Sequence, residues 1–208
     1  MGTSVSFWDR IAKGYSKKPV ANQAVYDQKL KLTQEYLKPE TELFEFGCGT
    51  GTTAIYHAPF VSHVHAIDVS SKMLEIAQNK TNEKKIKNIK FERATIEQVI
   101  VPDHSYDVVL GLSILHLLED REAIILKTYR MLKPGGVFVT STVCLSGAMN
   151  IFRPFFAVGT FFRLLPLIRF ITPKILEQNM IDAGFHNEVV WHPENSDSIF
   201  IIARKPSN

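Results

Sequence analysis

Leu43-Phe44-Glu45-Phe46-Gly47-Cys48-Gly49-Thr50-Gly51 reads as an apolar strand that stops at three glycines on alternate positions, with a helical pattern opening at Thr52. Glycine lacks a Cβ, so such a loop can turn tightly and let backbone approach a ligand. Between a strand and a helix, it holds a nucleotide-like group against the helix N-terminus. The spacing is G-x-G-x-G, with Glu45 two residues before Gly47, and it differs from the dinucleotide fingerprint G-x-G-x-x-G. A strand turn that binds nothing is the alternative. Context argues against it. Val64-His65-Ala66-Ile67-Asp68 reads as a second strand ending in a carboxylate, 21 positions after Gly47. A nucleotide-binding unit places its ribose-binding acid at about this distance. The competing role for Asp68 is a cap on the helix that starts near Ser71.

The 208 residues suit one domain able to bury a sizeable core. With 45% hydrophobic and 22% charged residues the composition is that of an ordinary globular protein. A net charge of +3 and a pI near 8.8 are too mild to indicate nucleic acid. The basic run Lys80 to Lys90 lacks interleaved aromatics for base stacking. Cys48 and Cys144 show no paired spacing for zinc or a redox dithiol, and Cys48 suits a small filler in the loop. Residues Met1 to Asp9 lack a basic stretch followed by an apolar core, so no secretory signal is expected and the cytoplasm is the default location.

Strand and helix patterns alternate along the chain. Helices are expected at Val25 to Leu37, Thr52 to His57, after a Ser70 or Ser71 cap, after an Asp120 cap, and from Ile175 to Ala183. Strands are expected at Leu43 to Phe46, Val64 to Asp68, Ile89 to Phe91, Tyr106 to Leu112 and Val137 to Thr142, the last after the Lys133-Pro134-Gly135-Gly136 breaker. Such alternation indicates a parallel α/β sheet with right-handed crossovers. Val189 to Trp191 and Ile199 to Ala203 are joined by a polar loop too short for a crossover helix, so the last two strands must be antiparallel.

These features together resemble the class I S-adenosylmethionine-dependent methyltransferases, in particular the small-molecule group that includes the ubiquinone and menaquinone methylases. Phe7-Trp8-Asp9 through Tyr15 is similar to the aromatic opening segment. Leu43 to Gly51 is similar to the first motif, Ala66 to Leu74 to the segment after it, and Tyr106 to Val109 with Leu115-His116 to the fourth-strand motif. Met131 to Gly136 is similar to the turn before strand five. The resemblance covers Phe7 to Arg204. It implies a Rossmann-like, doubly wound, mostly parallel seven-stranded sheet with an antiparallel C-terminal hairpin and helices on both faces. One domain over residues 1–208 would carry an N-terminal helical cap at 1–38 and a lid at 145–173.

For the cofactor, S-adenosylmethionine, the resemblance implies Glu45, Gly47, Cys48, Gly49, Thr50 and Gly51 in the first turn and Asp68, Val69 and Met73 at the second. It adds Tyr15 from the opening segment, and Leu112, Ser113 and Leu117 after strand four. Where the family commonly has an acid beside the adenine, Glu92-Arg93-Ala94-Thr95-Ile96 puts Ala94 or Thr95. Ala94, Thr95 and Ile96 would then receive adenine through backbone amides, a hydroxyl and apolar packing.

Methyl transfer from a sulfonium is an in-line displacement that needs alignment in a dry pocket and no covalent nucleophile. No Ser-His-Asp or metal-ligand arrangement stands out, and no metal is expected; His63 and His65 alternate along one strand as surface or core residues. His116 follows the fourth strand and is the candidate base, with shaping of the pocket as the alternative.

No Asp or Glu occurs from Ala123 through Leu176, and the stretch Leu145 to Pro173 concentrates phenylalanines with interleaved arginines. Pro154, Pro166 and the arginines interrupt it before it reaches spanning length. It reads as a core-completing cap, as a lid in which Arg153, Phe156 and Arg163 contact the acceptor, or as a peripheral membrane contact. The expected activity is methylation, at oxygen or nitrogen, of a small-molecule, lipid-like or peptide acceptor. An NAD(P)-dependent oxidoreductase and a non-catalytic S-adenosylmethionine-binding protein are the alternatives.

Overall fold

Leu43, Phe44 and Phe46 are fully buried, which makes β1 (Glu42–Phe46) the middle of the sheet. Each such side chain contributes roughly 1.5–3 kcal/mol on leaving water. The computed structural model describes residues 2–144, 169–194 and 196–207. The helices are α1 (Gly2–Tyr15), α2 (Gln23–Gln34), α3 (Thr52–His57), α4 (Ser71–Glu83), α5 (Arg121–Met131) and α6 (Pro173–Asp182). The strands are β1, β2 (His63–Asp68), β3 (Ile89–Arg93), β4 (Tyr106–Leu112), β5 (Leu132–Val143), β6 (His186–Trp191) and β7 (Ser198–Arg204), in the spatial order β3-β2-β1-β4-β5-β7-β6.

Strands β3 to β5 in this order pair in parallel, and β7 pairs antiparallel with both β5 and β6. The expected reversed hairpin is present, with β7 inserted beside β5 and β6 at the edge. β7 is buried almost throughout, whereas β6 alternates exposed and half-buried residues as an edge strand does.

Two apolar layers flank the sheet. Ile124, Ile125 and Met131 of α5 and Leu176 and Met180 of α6 meet Phe44, Phe46 and Phe138 on one face. Ala54 of α3 and Leu32, Tyr36 and Leu74 meet Leu43, Leu110 and Val139 on the other. The sheet is therefore doubly wound, with helices on both faces.

Caps explain most helix starts. Asn22, Ser70, Asp120 and Thr172 each accept a backbone N–H three residues on, from Val25, Met73, Ala123 and Ile175. Several boundaries differ from the sequence reading, two of them with a clear local cause. α2 ends at Gln34, because Tyr36 N–H and Leu37 N–H turn back to the carbonyls of Thr33 and Gln34 in short-range bonds before Pro39 is reached. β5 starts at Leu132, opposite Tyr106, and runs through the Pro-Gly-Gly breaker with a register irregularity. Gly136 has no room for a side chain there, since a Cβ would come within 2.9 Å of Asp107 O.

Candidate functional site

Beside β1 the winding direction reverses, with β2 on one side and β4 on the other. Loops leaving the carboxyl ends of neighbouring strands part at such a point, and a crevice opens between them. A cavity of about 670 Å³ lies there, within the usual range for small-molecule sites. Gly47 and Gly49 follow β1, Asp68 and Val69 end β2, Ala94 to Ile96 follow β3, and Leu112 and Ser113 end β4, all in its wall.

The glycine turn is built for this position. Gly47, Gly49 and Gly51 have φ of 67°, 54° and 71°, a region that side-chain-bearing residues rarely adopt. A Cβ on Gly47 would come within 2.9 Å of Ile114, whereas one on Gly49 would meet nothing within 4 Å. Gly49 therefore faces the open space of the cavity. Ser113 also has a positive φ, of 56°, and its N–H donates to Ser141 O at 2.6 Å. Strained backbone of this kind collects at functional sites.

Asp68 fastens the turn. Its Oδ2 accepts from Gly49 N–H at 2.9 Å and its Oδ1 from Ser70 N–H at 2.9 Å. Asp68 itself lines the cavity, and a carboxylate can accept more hydrogen bonds than these two. Burial raises its pKa, opposed by the hydrogen bonds from Ser70 and Gly49. The helix cap considered for Asp68 falls instead to Ser70, whose hydroxyl is held by Asp9 of α1 at 2.6 Å.

Four of the six cofactor positions expected in the first turn lie outside the wall. Glu45 points beneath the turn, 3% exposed, with the Ala54 N–H on its carboxyl and Oε2 without a partner. Burial, and then the charge of Asp68, push its pKa up to about 8. Cys48 packs into the apolar layer with Leu43, Ala54 and Val64, and burial raises its thiol pKa. Thr50 faces α4, where Lys80 Nζ reaches its hydroxyl at 2.9 Å. Gly51 packs against Ala77 and Phe91.

The remaining expected positions Tyr15, Met73 and Leu117 line the cavity. Ala94 is in the wall, but its N–H donates to Asp68 O at 3.2 Å. Thr95 Oγ1 accepts from Gln98 N–H at 3.2 Å and keeps its hydroxyl hydrogen for another partner.

His116 is half-buried in the short turn Leu115–Leu117, outside the cavity wall. Its Nδ1 is buried without a hydrogen-bond partner, and burial lowers its pKa, so the ring is neutral at pH 7. Arg153, Phe156 and Arg163 lie outside the described residues. His65 bonds Tyr106 and Glu92 through its two ring nitrogens. Among the described residues no group of His, Cys, Asp and Glu could hold a metal ion.

Several wall residues were not foreseen from sequence. Val5 and Trp8 come from α1, Trp8 standing in the aromatic opening that the sequence already marked. Glu97, Glu119 and Asp120 also line the cavity. With Asp68 they give four carboxylates, and no Lys or Arg lines it among the described residues. Glu97 lies three positions past Ala94, and only a reading extended beyond β3 would have found it.

Comparison with known proteins agrees with this geometry. Residues 44–140 match the family model described as a methyltransferase domain. The chain is 28% identical over 102 residues to the uncharacterized methyltransferase YcgJ of Bacillus subtilis, covering 49% of this chain and 40% of that protein. It is 33% identical over 114 residues to phosphoethanolamine N-methyltransferase 2 of Caenorhabditis elegans, covering 53% and 26%. It is 31% identical over 134 residues to the demethylmenaquinone methyltransferase of Tropheryma whipplei, covering 64% and 51%. The chain thus spans about half or less of the length of these relatives. Among solved structures, YcgJ superposes with a TM-score of 0.72 at 16% identity, covering 88% of this chain and 100% of that one. A methyltransferase from Mesorhizobium loti gives 0.71 at 20%, covering 86% and 96%. These structures share the fold, and the family match over residues 44–140 runs from β1 into β5, past most of the turns in the cavity wall. Residues 44–140 thus match a methyltransferase domain, within a fold shared with solved S-adenosylmethionine-dependent methyltransferases.

Proposed function

We propose that this chain transfers a methyl group from S-adenosylmethionine to a small-molecule acceptor, with the cofactor held in the cavity at the carboxyl ends of β1, β2 and β4. The observation that carries this reading is the charge of the wall. Asp68, Glu97, Glu119 and Asp120 suit a cationic ligand, and although Arg169 pairs with Glu119 at 3.7 Å and Lys127 reaches the Glu97 carbonyl at 3.2 Å, no Lys or Arg among the described residues lines the cavity to favour a pyrophosphate. That is the electrostatic difference between a sulfonium nucleoside and a nicotinamide dinucleotide.

The residues fit the group. Gly49 leaves room for the amino-acid end, the free acceptor positions of Asp68 suit ribose hydroxyls, and Met73 and Ile96 offer apolar surface to the adenine. When bound, the cofactor supplies an activated methyl whose departure neutralises the sulfur. The chain aligns and excludes water. Trp8 and Tyr15 of α1 and Leu117 and Leu118 after β4 line the cavity and give it the apolar surface that keeps water from the reacting atoms.

Two relatives carry phosphoethanolamine and demethylmenaquinone in their names, which supports a small acceptor but does not choose between a polar and a lipid-like one. The wall leaves His116 outside, so we expect alignment rather than a base to dominate. His116→Ala should then change turnover less than ~10-fold, and a loss of ~100-fold would assign it the proton-accepting role. Calorimetric titration with S-adenosylmethionine, S-adenosylhomocysteine and NADH tests the cofactor. Binding of the first two is expected, and binding of NADH alone would overturn the proposal.

A further inference from the structure

Lys29 belongs to α2, which covers the sheet face carrying Leu110, Val139 and Ile202. Its Nζ donates to Ser141 Oγ at 2.7 Å and reaches Ser198 Oγ at 3.5 Å. Ser198 Oγ in turn shares a 2.8 Å hydrogen bond with Ser196 Oγ. Ser141 is the β5 residue opposite Leu112, and its carbonyl accepts from Ser113 N–H. Leu112 and Ser113 are in the cavity wall. Adjacent strands lie roughly 4.8 Å apart, so the hydroxyl cluster begins one strand beyond that wall.

This ammonium has no anion. Among the described residues no carboxylate lies within the 4.0 Å of an ion pair with Lys29, and burial is the only influence lowering its pKa. The segment 145–168 cannot supply one, because the sequence holds no Asp or Glu from Ala123 through Leu176. Other partly buried lysines are satisfied differently. Lys127 and Lys205 donate to backbone carbonyls, which cannot donate in turn, and Lys80 divides its donors between the Thr50 carbonyl and the hydroxyls of Thr50 and Thr52. Lys29 meets serine hydroxyls, each able to turn its own hydrogen toward an incoming oxygen. A half-buried cation with spare donors, ringed by hydroxyls and lacking a counter-ion, is the constellation that receives an oxyanion.

We propose that Lys29, with the hydroxyls of Ser141 and Ser198, forms the subsite that holds the anionic group of the methyl acceptor, a carboxylate or a phosphate monoester. The inference rests on the reading of the neighbouring cavity as the cofactor site, and it narrows the acceptor to an anion. The acidic wall and this cation then orient the two ligands oppositely, the cationic cofactor toward β1 and β2 and the anionic end of the acceptor toward β5 and β7.

The test is calorimetry in two stages. The protein is first titrated with S-adenosylhomocysteine, and the saturated complex is then titrated with inorganic phosphate and with propionate. At least one anion should bind wild type, and the tighter of the two identifies the headgroup. Lys29→Met should weaken that binding roughly tenfold or more while Lys29→Arg retains most of it, with S-adenosylhomocysteine affinity unchanged in both. A second measurement uses wild type alone. Phosphate or propionate should slow reductive dimethylation of Lys29, followed by mass spectrometry, while the exposed Lys72 reacts as before. Failure of S-adenosylhomocysteine to bind overturns the cofactor reading and the subsite with it. Its binding without either anion overturns the subsite alone. Unchanged anion affinity in Lys29→Met, a parallel loss of S-adenosylhomocysteine affinity, or no protection of Lys29 also overturns it.

Discussion

Asp68 shows how one carboxylate can serve structure and binding together. It ties the N–H groups of Gly49 and Ser70, which sit on two different loops, and it also lines the cavity. Asp68→Ala is expected to weaken S-adenosylmethionine binding by on the order of 1–3 kcal/mol, since bound hydroxyls and two loop N–H groups lose their acceptor. Titration calorimetry reads this directly, and an unchanged affinity would place the ribose elsewhere. Glu45 is the contrasting acid. Its pKa, raised to about 8 from the usual carboxylate value, means the folded protein holds a proton that the unfolded chain releases. The stability this contributes is complete below about pH 4.5 and is lost as pH rises toward 8. Glu45→Gln should therefore flatten the fall in urea midpoint between pH 6 and 9. An equal slope in the variant would show that Glu45 ionises without cost.

At the scale of elements, the junction of α1 with α4 closes the cavity. Ser70 caps α4 through Met73 N–H, and Asp9 of α1 accepts from both the Ser70 hydroxyl and Lys72 N–H. The carboxylate sits at the positive end of α4, and its pKa is lowered first by the bond from Ser70. Ser70→Ala removes the cap and one of the two donors to Asp9, and should cost about 1 kcal/mol in denaturant unfolding. Because α1 carries Val5, Trp8 and Tyr15 into the wall, the same variant should weaken cofactor binding. Loss of stability without loss of affinity would mean that α1 does not depend on this anchor. The helices themselves were legible from the sequence, since Ser70 and Asp120 precede apolar positions at helical spacing. The end of α2 was not, because competing short-range carbonyl acceptors, rather than Pro39, decide where it unwinds.

Among the buried titratable groups of the described residues, His57 and Glu45 act on the stability of the whole molecule in opposite directions. His57 is 0% exposed with neither ring nitrogen bonded, and burial lowers its pKa to about 4. The unfolded chain takes up its proton near pH 6.5, so stability falls as pH drops from there toward 4. Glu45 acts in the other direction above about pH 4.5. Between pH 4.5 and 6.5 the two slopes oppose each other, and a broad maximum of stability is expected there. His57→Leu should remove part of the acid limb, on the order of 3 kcal/mol between pH 6.5 and 4. Thermal unfolding across that range reads the effect, and a variant that tracks wild type would show that His57 finds a partner when protonated.

What the linear chain determined is local and periodic. The apolar run ending in Gly47, Gly49 and Gly51, the acid 21 residues on, and a last connection too short for a helix all act within a few residues of themselves. They were enough for a doubly wound sheet, for its reversed final strands and for the turn at its centre. Only the folded molecule decided which distant groups meet. Sheet order carried Glu97, Glu119 and Asp120 to the cavity of Asp68, and the α2 crossing set Lys29 against Ser141, 112 positions away. Burial likewise set Glu45, a ligand candidate in the sequence, outside the cavity wall with its pKa raised to about 8. Such outcomes depend on solvent exclusion and charge summed over several elements, and no window of sequence contains those elements together.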